Sequence, residues 1–169
     1  MTILTVKIFF DLDGVLRDLS KVMGFEPESW NAKHPETGQS VMEILNGDLT
    51  LLRDAPPMPY LSRILEEFKE IKIATVQDLP WRPYTKEWIE KYIPRAEIIW
   101  FKDGEEKLEY CTGEHAGILV EDSPMLSDYV NVILIDHPYN RHIRFTNWGK
   151  VHVRVHNPDQ LMHELRKWL

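Results

Sequence analysis

Three observations predict an α/β fold built on a mainly parallel sheet. Six short apolar runs, at residues 6–10, 71–76, 97–101, 117–121, 130–135 and 151–155, have strand length and abundant β-branched and aromatic residues. Helical patterns alternate with these runs, which implies right-handed crossovers between parallel strands and helices on both faces of the sheet. Acids or a hydroxyl stand at or just after the carboxyl ends of three runs (Asp13, Thr75 and Asp122), where open α/β sheets bind their ligands. The expectation is that these three residues meet.

The first run, Val6 to Phe10, reads as a buried strand and ends in Asp11-Leu12-Asp13-Gly14. Residues two apart on a strand face the same way, so Asp11 and Asp13 can start on one side. Gly14 permits backbone geometry that a side chain resists. Two carboxylates at the mouth of a buried strand cost desolvation unless something positive meets them. A hard divalent cation with oxygen ligands, such as Mg²⁺, meets that need. The plain alternative is a turn that caps a strand, since Asp and Gly are common turn formers.

Gly, Pro and Asn punctuate residues 17–57, with helical pieces around 19–23 and 41–45 and a loop at 34–38. Ala55-Pro56-Pro57-Met58-Pro59 marks a boundary that a helix cannot cross. This predicts a small helical cap at 17–57 inserted after the first strand, with the core formed by 1–16 and 58–169. Residues 60–70 follow a helical pattern with Leu61, Ile64, Leu65 and Phe68 on one face. Residues 78–83 read as a loop, 84–92 as a helix stopped by Pro94, and 105–111 as a short helix. Asn157 and Pro158 suit the cap and first position of a last helix.

A chain of 169 residues suits one domain with a small insertion. Its 43% hydrophobic and 28% charged content is ordinary for a globular protein. No apolar run approaches the ~20 residues of a membrane span, and no signal peptide is evident at the N-terminus. The one cysteine, Cys111, fits a reducing compartment and reads as a buried apolar side chain, so a cytoplasmic location is expected. The net charge of -7 argues against a large nucleic-acid interface. Affinity for a phosphate ester would need local positive charge from a metal ion, a lysine or backbone N–H groups. The oligomeric state is left open, a homodimer included.

The Asp11-Leu12-Asp13-Gly14-Val15 stretch resembles motif I of the haloacid-dehalogenase-like phosphohydrolases. The resemblance implies a three-layer α/β/α Rossmann-like sheet and a Mg²⁺-dependent phosphatase. Asp11 would be the nucleophile that forms an aspartyl-phosphate, and Asp13 the acid and base that serves the leaving alkoxide and then water. The second Asp fits phosphatases and is lacking in the dehalogenase branch. By the same resemblance Thr75 binds a phosphate oxygen, although Val76-Gln77 departs from the small residues or proline usual after it. The phosphate lysine is Lys107 or Lys102, with Lys107 preferred because its helix leads into the fourth strand. Ile118-Leu119-Val120-Glu121-Asp122 resembles the metal-binding motif, so the resemblance implies that Asp122 joins Asp11 and Asp13, the latter through its backbone carbonyl, as a Mg²⁺ ligand, while the role of Glu121 is open.

Lys86-Glu87-Trp88 and Asp136-His137-Pro138-Tyr139-Asn140 look like segments of the 5'(3')-deoxyribonucleotidases. That resemblance implies a (deoxy)nucleoside monophosphate substrate, with Phe25, Trp30 and Trp81 as candidate contacts to the base. Arg17 stands where that group has a small residue, which implies altered substrate contacts. The alternatives are a phosphatase for a sugar phosphate or a polynucleotide end, and a non-catalytic nucleotide- or protein-binding module. His152 and His156 lack a convincing third zinc ligand. His137, Arg141, His142 and Arg144 read as a solvated basic patch that balances nearby acids.

Overall fold

The computed structural model describes residues 6–112, 117–125, 131–143 and 152–169. In chain order the elements are β1 (Lys7–Phe10), α1 (Ser20–Met23), α2 (Val41–Gly47), α3 (Thr50–Asp54), α4 (Leu61–Glu67), β2 (Lys72–Val76), α5 (Arg82–Tyr92), β3 (Glu97–Phe101), α6 (Gly104–Thr112), β4 (Gly117–Glu121), β5 (Val132–Ile135), β6 (His152–Val155) and α7 (Pro158–Arg166). The strands form one sheet in the order β3-β2-β1-β4-β5-β6, and every pairing is parallel. The α/β fold read from the sequence is the observed one.

Strand alternation sorts the apolar side chains into two cores. Phe10, Ile73, Ile118, Val120 and Ile133 face one way and pack on Leu61 and Ile64 of α4, Trp88 and Ile89 of α5, and Leu161, Met162 and Leu165 of α7. Phe9, Ala74, Leu119, Val132 and Leu134 face the other way, with Cys111 of α6. Helices therefore cover both faces, as strands that are apolar on both sides require. Cys111 is fully buried there, and burial pushes its thiol up to about 12, which suits packing rather than nucleophilic chemistry.

The two ends of the segment 17–57 lie side by side. There the Asp18 N–H donates to the Pro56 carbonyl and the Met58 N–H to the Leu16 carbonyl. Leu19, Met23, Leu45, Leu52 and Ala55 build a third apolar cluster, completed by Trp81 from the core. At the start of α2, Ser40 and Glu43 form a reciprocal capping box.

Several boundaries differ from the sequence reading. The helix read over 60–70 spans only Leu61–Glu67, because Phe68 turns extended and buries its ring. Residues 79–81 form a 3-10 turn, and α5 starts at Arg82, so Pro83 lies inside the first helical turn rather than in a loop. The five-residue α3 was not expected; the Asp48 carboxylate accepts from the Thr50 N–H at its start. Asn157 caps α7 as expected, accepting from the Gln160 N–H at 2.9 Å. Val130 and Val151, read as strand residues, lie outside the described residues. No helix among the described residues is long and apolar enough to cross a membrane.

Gly117 opens β4 where β1 passes closely. A Cβ there would lie 2.4 Å from the Lys7 carbonyl oxygen and 2.9 Å from Cε2 of Phe9. Gly117→Ala is therefore expected to cost about 1–3 kcal/mol, the usual range for overpacking a close contact. Urea denaturation measures this, and an unchanged midpoint would contradict the tight β1–β4 approach.

Candidate active site

β1 and β4 end side by side and deliver their acids to one place. The Asp11 N–H donates to the Val120 carbonyl at 2.9 Å, which extends the β1–β4 ladder by one residue. Carboxylate oxygens of Asp11, Glu121 and Asp122 all lie within 4.8 Å of one another. Glu121 and Asp122 reach the same cluster although they are adjacent, because β4 ends at Glu121 and strand alternation stops there.

One ammonium serves this cluster. Lys107 Nζ lies 2.8 Å from Asp11 Oδ1 and 2.6 Å from Glu121 Oε2. The lysine comes from α6 and its side chain is 7% exposed, whereas that of Lys102 is 86% exposed and pairs with Asp103. Of the two candidate lysines, Lys107 is the one at the carboxylates. The oxygens of Glu121 are already engaged: Oε2 meets Lys107, and Oε1 accepts the backbone N–H groups of Asp122 and Ser123 at 2.9 and 3.1 Å. Glu121 thus orients the lysine and the turn that carries Asp122.

Three carboxylates facing one ammonium leave negative charge uncompensated. Burial pushes Asp11 well above the usual carboxylate range, and the Glu121 charge pushes it further, against the pull of Lys107. Burial and Glu121 raise Asp122 in the same way. Burial acts to raise Glu121 too, but the Lys107 charge and hydrogen bonds with Asp122, Lys107 and Asp11 together bring that carboxyl down to about 2. Burial opposes the charge on Lys107, and Asp11 and Glu121 more than offset it, so the lysine stays charged. Without a further cation, Asp11 and Asp122 hold protons more readily than free carboxylates do. An all-oxygen, charge-deficient donor set of this kind fits a hard divalent ion.

The segment after β5 supports Asp122. The Tyr139 hydroxyl donates to Asp122 Oδ2, and Asn140 Nδ2 donates to the carbonyls of Asp122 and Ile135, both at 2.8 Å. Asn140 thereby ties the ends of β4 and β5 together. Asp136 accepts from Arg154 at 2.9 Å and from Arg141 at 3.1 Å. Gly14 packs against this pair at a φ of 79°; a Cβ would lie 2.1 Å from Asp122 Oδ2 and 2.8 Å from the Tyr139 hydroxyl. His137 stacks on Tyr139 with ring centroids 5.0 Å apart. Its Nε2 donates to the Gly14 carbonyl at 2.8 Å, and its Nδ1 lies 3.1 Å from Glu26 Oε1. The solvated-patch reading therefore fails for His137, which is held at the site, whereas the exposed Arg141 pairs with Asp136. Arg144 lies outside the described residues.

The side chain of Asp13 stands apart from the other acids. Its carboxylate is not in the cluster; it is forked by Arg17, with Nε 2.5 Å from Oδ1 and Nη2 3.0 Å from Oδ2. Arg17, read as a change in substrate contact, is fully buried. Asp13 still lines the same cavity as Asp11, Thr75, Lys107 and Asp122. Thr75 ends up 2% exposed at the carboxyl end of β2.

The cavity, about 1480 Å³, lies between the strand ends and residues 17–57. Trp30 lines it, half-exposed, with its ring edge-on to Tyr139 at 5.7 Å. Trp81 also lines it but is largely buried in the third apolar cluster, and its Nε1 donates to Asn46 at 2.7 Å. Phe25 is not among the lining residues and packs edge-on against His34. No histidine cluster suited to zinc occurs among the described residues, and His156 instead sits 3.5 Å from Asp136.

The chain matches no family model, and no curated protein matches it. Among solved structures it is similar to a haloacid dehalogenase-like family hydrolase from Xanthomonas campestris. The TM-score is 0.54 at 12% identity, over 97% of this chain and 96% of that one. The two share a fold. The likeness covers nearly the whole of both chains.

Because burial and the Glu121 charge raise both Asp11 and Asp122, a divalent cation must displace protons to bind. Cation affinity is therefore expected to rise as pH rises, with net proton release. Calorimetry in buffers of different ionisation enthalpy checks this. A heat independent of buffer together with a flat pH profile would contradict the assignment.

Proposed function

We propose that the protein is a Mg²⁺-dependent phosphomonoesterase that works through an aspartyl-phosphate on Asp11. The observation that carries this reading is the Asp11–Lys107–Glu121–Asp122 cluster at the carboxyl ends of a parallel sheet of this fold. The hydrolase likeness of the Xanthomonas structure supports it.

Asp11 and Asp122, with the backbone carbonyl of Asp13, would hold the ion. When bound, Mg²⁺ supplies Lewis-acid stabilisation of phosphoryl charge and relieves the repulsion between Asp11 and the substrate. Asp11 attacks phosphorus, the ester P–O bond breaks, and the departing alkoxide takes a proton from Asp13. In the second half, Asp13 takes a proton from water as the water oxygen bonds phosphorus and the bond from phosphorus to Asp11 breaks. Phosphate leaves and both aspartates are restored. Lys107 and Thr75 hold the phosphoryl oxygens through this sequence.

The substrate we propose is a (deoxy)nucleoside monophosphate. Residues 17–57 then act as a cap over the core of 1–16 and 58–169. The cavity exceeds the roughly 300–1,000 Å³ of common small-molecule sites, so it has room for more than a phosphoryl group. Its cap-side walls carry an apolar patch of Leu19, Met23, Val41, Met42, Leu45 and the half-exposed Trp30, beside polar residues such as Glu26, Asn31 and Lys33. Such walls suit a neutral leaving group with an aromatic face better than a bare sugar.

Asp11→Asn is expected to lower Mg²⁺-dependent phosphate release by roughly 1,000-fold or more, since it removes the nucleophile. Circular dichroism should show the fold retained. Activity within a few-fold of wild type would reject the nucleophile, and turnover of sugar phosphates in preference to nucleotides would reject the substrate class.

A further inference from the structure

Arg17 is the most deeply buried charged residue among those described, and a buried guanidinium needs partners for its donors. It has them. Nε and Nη2 fork Asp13, while Nη1 donates to the Leu52 carbonyl at 2.8 Å and to Thr85 Oγ1 at 3.1 Å. The Thr85 hydroxyl donates in turn to Gln77 Oε1 at 2.5 Å, and Gln77 Nε2 donates to Asp13 Oδ2 at 3.1 Å. The hydrogen bonds close a ring that begins at Arg17 and ends on Asp13 by two routes.

A carboxylate oxygen has two lone pairs. Asp13 Oδ2 accepts from both Arg17 and Gln77, whereas Oδ1 accepts from Arg17 alone. We propose that Arg17, with Gln77 and Thr85 behind it, is the positioning residue that fixes the aim of the Asp13 carboxyl. This rests on the phosphatase reading above. The carboxyl so held serves the departing alkoxide in the first half-reaction and the attacking water in the second. Arg17 itself exchanges no proton and touches no substrate. The Leu52 carbonyl belongs to α3, so the inserted segment helps set the aim.

A positioning role separates from a merely structural one by the leaving group. A nucleoside 5'-monophosphate releases a sugar alkoxide that needs the proton, while p-nitrophenyl phosphate releases a phenolate that does not. The test is the first-turnover release of each leaving group by the full chain with Mg²⁺. Arg17→Lys keeps the charge but loses the fork. It should slow alkoxide release by roughly 100-fold and phenolate release by no more than about 3-fold, the lower end of what a positioned acid contributes. Equal losses on both esters, or no loss, would overturn the proposal and leave the phosphatase reading standing. Gln77→Met, which removes one of the two donors to Oδ2 and leaves Arg17 in place, carries the same test should Arg17→Lys not fold. A several-fold loss confined to the alkyl ester is expected, and an equal loss or none overturns it. Wild-type protein inert towards both esters would sink the phosphatase reading and this inference with it.

Discussion

The structure turns on an ammonium held between two buried carboxylates with a third beside them. Lys107 bonds Asp11 and Glu121 at ion-pair distance in a place from which water is largely excluded. Burying charge is costly, and removing one member of such a group leaves the others uncompensated. The set is therefore weak evidence for stability. Under the proposed function, a bound cation completes it. The sheet order accounts for its position: β1 and β4 are neighbours at the centre, so the acids that follow them emerge together.

Around that group the protein has arranged two kinds of support. One comes from the segment after β5, where Tyr139 meets Asp122 and Asn140 clips two strand ends together. The other comes from Arg17, which draws the Asp13 carboxylate out of the cluster. The separation has a physical logic. A fourth carboxylate among Asp11, Glu121 and Asp122 would deepen the charge deficit, whereas the same group forked by a guanidinium is neutralised locally. Two aspartates only two residues apart therefore occupy different electrostatic surroundings.

Much of this was legible in the sequence. The strand runs were plain because they are short, largely apolar and rich in β-branched residues, and 97–101 and 117–121 match the observed strands residue for residue. Asp11, Lys107 and Asp122 were placed together by motif and strand-end position. What could not be read depends on tertiary contacts. The partner of Asp13 is four residues away across a turn whose course is set by Gly14 and the hydrogen bond at Pro56. The role of Glu121 depends on where β4 stops, a matter of one residue. Phe25 and Trp30 look alike as aromatic residues of the same segment, yet only Trp30 reaches the cavity. The five-residue α3 lacks the length for a periodic signal. The signal for Tyr139 and Asn140 was present in the Asp-His-Pro-Tyr-Asn segment, but their roles appear only once β4 and β5 are side by side.

The central claim is that the carboxylate cluster is a divalent-cation site. A crystal structure grown with Mn²⁺ in place of Mg²⁺, with its anomalous signal recorded, tests it most directly. The account predicts one strong peak bonded to carboxylate oxygens of both Asp11 and Asp122, at the roughly 2.0–2.6 Å typical of oxygen-ligated divalent ions. A map with no peak there, or with the ion bound by the Asp13 side chain in place of Asp122, would contradict it.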